Sequence, residues 1–195
     1  MKAQFEITPD TYDPTIEWGD KVLYFPNYFP DHANITWNDI VPLWQAERNN
    51  DYLRMLTPPN ELVTENHIDY DGETENPDLA FQIDRQVIVP TFVTHTQDNL
   101  NDHVRTICEE AYALKLRNLH TYSTVMAESY VFKSHKDPHS IMLVQCIGMT
   151  SYHFEDGTIH QLKEGDGLYI PRGIYHAPQV FGPRVTFSYN WHYRR

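Results

Sequence analysis

The sequence has few cysteines and no long apolar run. Its two cysteines, Cys108 and Cys146, do not form a CxxC spacing, which excludes the common zinc-finger and dithiol redox motifs. We expect both to be buried, reduced thiols. No apolar stretch approaches the roughly 18 residues that a membrane span requires, so no membrane partner is predicted.

Basic residues are scarce in the first half of the chain. Residues 1–100 contain 18 acids and 5 bases, a balance of −13, whereas residues 101–195 contain 9 acids and 10 bases, a balance of +1. Binding to nucleic acid through phosphate contacts needs clustered Lys and Arg, so a nucleic-acid partner is not expected. The first 20 residues lack a basic segment followed by an apolar one, which predicts no signal or transit peptide and a cytoplasmic location.

Fixed-period repeats and low-complexity tracts are also missing, which excludes solenoid and linker architectures. A length of 195 residues with 41% hydrophobic residues suits one globular domain. We predict a single domain over 1–195, in which 1–121 supplies supporting strands and helices and 122–195 forms a metal-binding β core.

Local patterns predict the elements of the supporting part. Prolines that interrupt an aromatic and β-branched run indicate an edge strand with its exit turn at 22–29. Apolar periodicity predicts a helix at 35–48, a strand at 86–93 and a longer helix at about 98–117. The stretch 56–79 is rich in Pro, Asn and Gly and holds seven acids, so we interpret it as a solvated loop rather than a substrate lid.

From Tyr122 onward the pattern changes to short strands separated by turn motifs. The five strand-like segments are VMAESYVF, IMLVQCIG, TSYHF, GLYIP and RVTFSYNWHY. Such short, regularly spaced strands predict antiparallel β structure arranged as a barrel or sandwich. The fold class is therefore mostly β with flanking helices.

Candidate metal ligands cluster in SHKDPH at 134–139. Side chains alternate in an extended strand, so His135 and Asp137 are expected on one face. His176 follows 41 residues after His135, at the end of GDGLYIPRGIYH, where a strand and a turn would return it to the first two. Two imidazoles and one carboxylate with open positions suit Fe(II) and oxygen chemistry, although a zinc hydrolase could use the same residue types.

Two segments resemble motifs of the JmjC and cupin-like hydroxylases. GDGLYIPRGIYH resembles the second cupin motif, G(x)5PxG(x)2H, and HKDPHSIMLVQCIG is similar to the HxD strand of those enzymes, with Gln145 and Gly148 at the family spacing. The closing strand is similar in length, ending at Asn190 and Trp191. The resemblance implies a double-stranded β-helix of the cupin or jelly-roll type. It also implies an oxygenase that uses Fe(II), 2-oxoglutarate and molecular oxygen to hydroxylate a small molecule or a protein side chain, with His135, Asp137 and His176 as metal ligands and catalytic centre.

The chain also departs from that family. Many JmjC hydroxylases hold the far carboxylate of 2-oxoglutarate with a lysine two residues beyond the glycine, where this chain has Thr150. Phe132 replaces a hydroxyl residue before the first ligand, and Ile141 replaces a frequent asparagine. If 2-oxoglutarate binds, another cation must hold it.

Strand parity provides cosubstrate candidates. Even residues of 184–190 share one face, and a buried arginine beside a threonine can bind a carboxylate, which makes Arg184 the first candidate. A surface arginine is the alternative, because the turn FGP could shift the register by one residue. His139 is either a substrate contact or a polar residue of a turn. The other cosubstrate candidates are Thr186, Lys133, Asn190 and Tyr122.

Two other functions stay open. The missing lysine favours a cupin metalloenzyme, such as a dioxygenase or isomerase, that uses the same triad without 2-oxoglutarate. A cupin-type binding module without catalysis is the third reading. The substrate and the oligomeric state are not predicted.

Overall fold

In a computed structural model the chain is described over residues 18–49, 53–57, 61–64, 89–95 and 99–190. Within these residues there are two α-helices, α1 (Trp37–Asn49) and α2 (Asp102–Ala113), and a 3-10 helix at Pro30–Asn34. The strands are β1 (Leu23–Phe25), β2 (Arg54–Thr57), β3 (Glu61–Thr64), β4 (Thr91–Thr94), β5 (Arg117–Thr124), β6 (Ile141–Ile147), β7 (Thr150–Phe154), β8 (Ile159–Leu162), β9 (Gly167–Ile170), β10 (His176–Val180) and β11 (Arg184–Asn190).

The strands form two antiparallel sheets. The larger sheet has the order β1-β9-β6-β11-β5-β4-β2-β3, and the smaller has the order β10-β7-β8. β1 to β4, from the first half of the chain, extend the larger sheet on both sides. The predicted mostly β class with flanking helices is confirmed, and the architecture is that of a double-stranded β-helix.

The two faces of the larger sheet have different partners because side chains alternate along each strand. On one face, Met142 and Val144 of β6 and Val185 and Phe187 of β11 pack in a cluster with residues of both helices. On the other face, residues of β6 and β9 pack against the smaller sheet; they are Ile141, Leu143, Leu168 and Ile170, which contact Tyr152 and Leu162. Arg184, Ser188 and Asn190 of β11 alternate with Val185, Phe187 and Tyr189 and lie on this second face.

The two helices form where the apolar periodicity predicts them, with different ends. α1 covers Trp37–Asn49 rather than 35–48, and Thr36 precedes it with its backbone N–H and hydroxyl both donating to Asp39. α2 covers Asp102–Ala113 rather than about 98–117. It ends early because Lys115 takes a positive φ of 64°, which turns the chain into β5.

The first strand predicted for the β core is wrong. VMAESYVF, at 125–132, contains no strand, and β5 lies directly before it at Arg117–Thr124. The sequence of β5, RNLHTYST, is mostly polar, so no apolar alternation indicates which of its residues are buried. The other four segments form β6, β7, β9 and β11, the strand start expected at His176 is β10, and β8 was not predicted.

The remaining predictions for the first half fall partly outside the described residues. The edge strand at 22–29 is confirmed in shortened form, since β1 pairs only with β9 at the end of the sheet. The strand predicted at 86–93 is β4, with 86–88 outside the description. The loop predicted at 56–79 is wrong where it can be compared, because 54–57 and 61–64 pair as antiparallel strands; residues 65–79 are not described. Among the described residues, no helix is long and apolar enough to span a membrane.

Candidate metal centre and its cavity

A short backbone pairing brings the two predicted histidine ligands together. The N–H of His135 donates to the carbonyl of His176 at 3.0 Å, and the N–H of His176 donates back at 2.8 Å. Residues 131–137 otherwise form no strand, so the expected alternation along that segment does not apply. The pairing instead places the two rings side by side, with centroids 4.4 Å apart.

The third predicted ligand is held by the turn before β10. The N–H of Gly173 donates to the carbonyl of Asp137 at 2.9 Å, which ties the PRG turn to the segment carrying the carboxylate. The carboxylate of Asp137 then lies 3.6 Å from Nε2 of His176. The ligand atoms of His135, Asp137 and His176 all lie within 4.8 Å of one another.

Backbone carbonyls fix the tautomers of both histidines. Nδ1 of His135 lies 2.8 Å from the carbonyl of Lys133, and Nδ1 of His176 lies 3.1 Å from the carbonyl of Ile174. A carbonyl can only accept, so Nδ1 carries the proton in each ring and Nε2 carries a free lone pair. Both rings therefore present the nitrogen that a metal binds.

The donor set fits a divalent metal with open coordination positions. Two neutral imidazoles and one carboxylate form the facial arrangement typical of non-haem Fe(II) enzymes. Closed structural zinc sites use four protein ligands, and the described residues supply three here. Burial lowers the pKa of His176, and the nearby His135 adds to this effect, so the ring stays neutral and available as a ligand.

Arg184 anchors a hydrogen-bonded chain in the same cavity. Its side chain is 3% exposed and donates to the hydroxyl of Thr186 at 2.8 Å, which donates to the carbonyl oxygen of the Gln145 amide at 2.9 Å. The amide nitrogen of Gln145 donates to the carbonyls of Ile147 and Val185. Gln145 thereby orients Thr186 and Arg184. This role gives a physical reason for a glutamine at that position of the HxD-strand motif.

Among the described residues, no carboxylate forms an ion pair with the buried guanidinium of Arg184. Burial lowers its pKa, and among the described residues the groups that oppose this shift are the hydroxyls of Tyr152 and Tyr122 rather than a carboxylate. Within the described residues its Nε has no hydrogen-bond partner. The hydroxyl of Thr150, buried on the same face of β7 as Tyr152, also has no partner in the part of the chain that the structure describes. Arg184 and Thr150 therefore each hold a buried polar atom that a ligand could satisfy.

Arg184, Tyr122 and Tyr152 line the same cavity as the three candidate ligands, with a volume of about 360 Å³, a size in the range of small-molecule sites. At one end, which we call the arginine end, lie Arg184, Tyr122 and Tyr152. The opposite end of the cavity, towards the C-terminal end of β11, is lined by His95, His120, Ser188 and Asn190. We call it the histidine end. The cavity is also lined by the metal triad and by Phe132, Pro138, His139, Ile141, Leu143 and Pro178.

The predicted cosubstrate residues are not all close together. Arg184 and Thr186 lie in the buried network, and Tyr122 lines the cavity beside them, where burial and then the charge of Asp137 raise its pKa. Asn190 lines the opposite end. Lys133 is exposed and is not among the lining residues, because 131–137 is not the strand on which its inward orientation depended.

Sequence reasoning missed several lining residues, among them His95, His120, Tyr152 and Pro178. His120 was missed because the predicted helix ended at about 117 and the predicted β core began at 122, so that β5 was not recognised as a strand, and His95 because it follows the short strand β4. Tyr152 could have been found, since it alternates with Thr150, the position compared with the family lysine. His139, left between two roles, does line the cavity.

Comparisons with known proteins identify the fold. No protein-family model matches the sequence, and no curated protein matches it. Among solved structures, YcfD, a ribosomal oxygenase from Escherichia coli in complex with cobalt and 2-oxoglutarate, aligns with a TM-score of 0.63 at 13% identity, over 90% of this chain and 49% of that one. Another crystal structure of YcfD aligns with a TM-score of 0.66 at 14% identity, over 95% of this chain and 53% of that one.

The chain therefore spans about half the length of the YcfD structures that it matches. At 13% to 14% sequence identity, the similarity to YcfD is evidence for the fold alone. The resemblance to JmjC and cupin-like oxygenases, first indicated by two short motifs, is confirmed at that level: the chain has the double-stranded β-helix fold of the JmjC-type oxygenase YcfD.

Proposed function

We propose that the chain is an Fe(II)- and 2-oxoglutarate-dependent oxygenase. One observation carries this proposal: the ligand atoms of His135, Asp137 and His176 converge within 4.8 Å in a cavity that also contains the buried guanidinium of Arg184. A metal triad beside an unpaired buried cation fits a cosubstrate that chelates a metal at one end and carries a carboxylate at the other.

In this proposal His135, Asp137 and His176 hold the metal, each through the atom that the geometry makes available. When bound, the metal and 2-oxoglutarate together supply the oxidation, in which molecular oxygen is consumed, 2-oxoglutarate becomes succinate and carbon dioxide, and a substrate C–H becomes C–OH. The protein's residues orient the cosubstrate and exclude water.

The arginine end would hold the distal carboxylate. A buried unpaired charge destabilises a fold, and a charge-assisted, bidentate bond to a carboxylate offsets that cost. Arg184 supplies the charge, and the unpartnered hydroxyl of Thr150 supplies an additional donor at the position of the family lysine. Tyr122, whose raised pKa keeps it protonated, can donate a further hydrogen bond. Thr186 positions Arg184.

The likeness to YcfD supports the same ligands, since one of its structures contains cobalt and 2-oxoglutarate. Because YcfD is a ribosomal oxygenase, a protein substrate is the form of the proposal that this likeness favours. The cytoplasmic location stays a prediction from the sequence.

A metalloenzyme that uses the triad without 2-oxoglutarate is the second candidate. Thr150 in place of the family lysine favours it, because a threonine provides no charge to hold a carboxylate. Arg184 argues against it, since its buried charge would then lack a partner. A non-catalytic module is less consistent with a triad that leaves metal positions open.

Anaerobic spectroscopy tests the proposal. Addition of Fe(II) and then 2-oxoglutarate should produce the weak visible charge-transfer band of a chelated cosubstrate. The band should be absent in His135→Ala, Asp137→Ala and His176→Ala, and present in His153→Ala, a control in which a histidine bonded to Gln179 outside the triad is removed. Stoichiometric iron binding with no band would favour the second candidate.

A further inference from the structure

The histidine end of the cavity has no role in the proposed binding of metal and cosubstrate. Arg184 and Asn190 lie on the same face of β11, six residues apart, which corresponds to about 20 Å along a strand. The guanidinium of Arg184 lies beside Thr186, where the proposed function has it bind the far carboxylate of the cosubstrate, whereas Asn190 lines the other end of the cavity. Ser188 and His120 face each other across β11 and β5, and His95 lies against His120 with ring centroids 4.5 Å apart.

Asn190 is buried with an unsatisfied polar atom. Its side chain is 5% exposed and lines the cavity, and its Oδ1 has no partner among the described residues. Leaving a buried acceptor without a donor costs about 1–3 kcal/mol, so a ligand that supplies the donor gains that amount of binding energy. A carboxamide places an acceptor and two donors side by side, in either orientation of the amide.

The neighbouring imidazole is neutral. Burial, reinforced by the positive charge of Arg54, lowers the pKa of His95. At neutral pH this ring therefore offers one N–H donor and one acceptor and carries no charge. The histidine end presents polar groups that both donate and accept.

Ionic ligands fit this end poorly. Of the described lining residues, Asp137 is the only carboxylate and belongs to the metal triad, and Arg184 is the only Lys or Arg and lies at the other end. An ammonium or a guanidinium buried between His95 and Asn190 would lack a countercharge and would be repelled by Arg54, whose positive charge acts on His95. A carboxylate has no hydrogen to donate to Oδ1 of Asn190. A neutral group that donates and accepts side by side satisfies Asn190 completely.

We propose that the histidine end binds a primary carboxamide of the substrate, of the kind carried by asparagine and glutamine side chains, through paired hydrogen bonds to Asn190 and contacts with His95 and His120. The inference rests on the proposed function only in naming the bound molecule a substrate. The binding itself needs neither iron nor 2-oxoglutarate.

Titration of the full chain with three blocked amino acids tests the inference. The probes are N-acetylglutamine methylamide and its glutamate and lysine counterparts, and the readout is the NMR signals of the histidine side chains, without metal and again with Zn(II). The glutamine probe should bind about tenfold more tightly than the other two and shift the signals of His95 and His120. Free glutamine, as a fourth probe, distinguishes a small-molecule source of the carboxamide from a peptide source.

Two variants of Asn190 make the test specific. Asn190→Leu should weaken the glutamine probe about tenfold, and Asn190→Asp should reverse the preference in favour of the lysine probe, because it adds the missing negative charge. Gln161→Leu, the same loss of an amide on the exposed strand β8, should leave every affinity unchanged.

Equal affinity for the three blocked probes, or an unchanged glutamine affinity in Asn190→Leu with no reversal in Asn190→Asp, would overturn the inference. Tight glutamine binding in a chain that shows no 2-oxoglutarate band would support the inference while contradicting the proposed function, so the two failures are distinguishable.

Discussion

Among single side chains, Arg184 has the largest predicted effect on cosubstrate binding. Replacing it with methionine keeps a long side chain and removes the charge, so 2-oxoglutarate should bind about 2–4 kcal/mol more weakly while iron still binds. Because the guanidinium is buried without a countercharge, the variant should be at least as stable as the wild type.

Calorimetric titration with 2-oxoglutarate and thermal unfolding check both parts of the Arg184 prediction. Arg105→Met, on the exposed side of α2, is the matched control for binding and should leave the affinity for 2-oxoglutarate unchanged. An unchanged affinity in Arg184→Met would move the carboxylate to another part of the cavity.

The hydroxyl of Thr150 should affect folding and binding in opposite directions. Thr150→Val keeps the shape and removes a buried oxygen that has no partner, so the free energy of unfolding should rise by about 1 kcal/mol. If the hydroxyl donates to the cosubstrate carboxylate, the affinity for 2-oxoglutarate should fall by about 1 kcal/mol. Urea unfolding and titration measure the two effects; a loss of stability would mean that the hydroxyl is already satisfied in the free protein.

At the level of strands and turns, Gly148 fixes the connection between β6 and β7. Its φ is +69°, and a Cβ there would collide with the backbone carbonyl of Pro183, just before β11. Gly148→Ala should therefore lower the free energy of unfolding by about 2–4 kcal/mol, from a strained backbone and a steric clash together.

Gly157 provides the comparison for Gly148. It also has a positive φ, +84°, but nothing lies within 4 Å of a Cβ added there, so Gly157→Ala should cost only about 1 kcal/mol. Chemical denaturation of both variants separates backbone strain from the clash. Equal losses would show that the turn can move away from Pro183.

Elements with strong local patterns could be predicted, and those defined by distant contacts could not. The apolar runs of β6 and β9 and the periodicity of α2 predict their own structure. β5 does not, because its residues RNLHTYST are polar and become a central strand only by pairing with β4 and β11. β5 starts at Arg117 because Lys115 adopts a left-handed backbone conformation that ends α2. The apolar spacing of the helix continues through Leu114, so the sequence does not show this end.

The convergence of His135, Asp137 and His176 could be predicted because the three residues lie in short motifs. The predicted reason for the His135 and Asp137 pair, alternation along a strand, was wrong, and a two-bond backbone pairing with His176 brings the ligands together instead. The inward face of Arg184 followed correctly from parity along β11. His95 and His120 could not be found, because their place depends on how β4 and β5 pair.

For the folded chain as a whole, one buried histidine should determine much of the acid sensitivity. His32 is fully buried in the core between the sheet and the helices, with Nε2 2.7 Å from the hydroxyl of Tyr189. Burial lowers its pKa to about 4. Between pH 6.5 and 4 the unfolded chain binds a proton that the folded chain does not, so stability is complete above pH 6.5 and should fall by about 3 kcal/mol toward pH 4.

Unfolding free energies of the wild type and His32→Gln, measured over this pH range, test that assignment. The fall should be clearly smaller in the variant, whatever its stability at neutral pH. The carboxyl of Glu110, 3.6 Å from the ring, has its pKa raised by burial and contributes with the opposite sign in both proteins, so the difference between them isolates His32. Parallel pH curves would assign the acid sensitivity to other groups.

The proposed activity requires that the chain convert 2-oxoglutarate by means of the triad and the arginine end. Succinate formed in air from 2-oxoglutarate by the iron-loaded full chain, with no added substrate and with ascorbate as the reductant that supplies two electrons per turnover, measures this conversion. We predict slow succinate formation above a protein-free iron control, abolished in Asp137→Ala and strongly reduced in Arg184→Met. A wild-type chain that binds iron yet forms no succinate above that control would contradict the assignment.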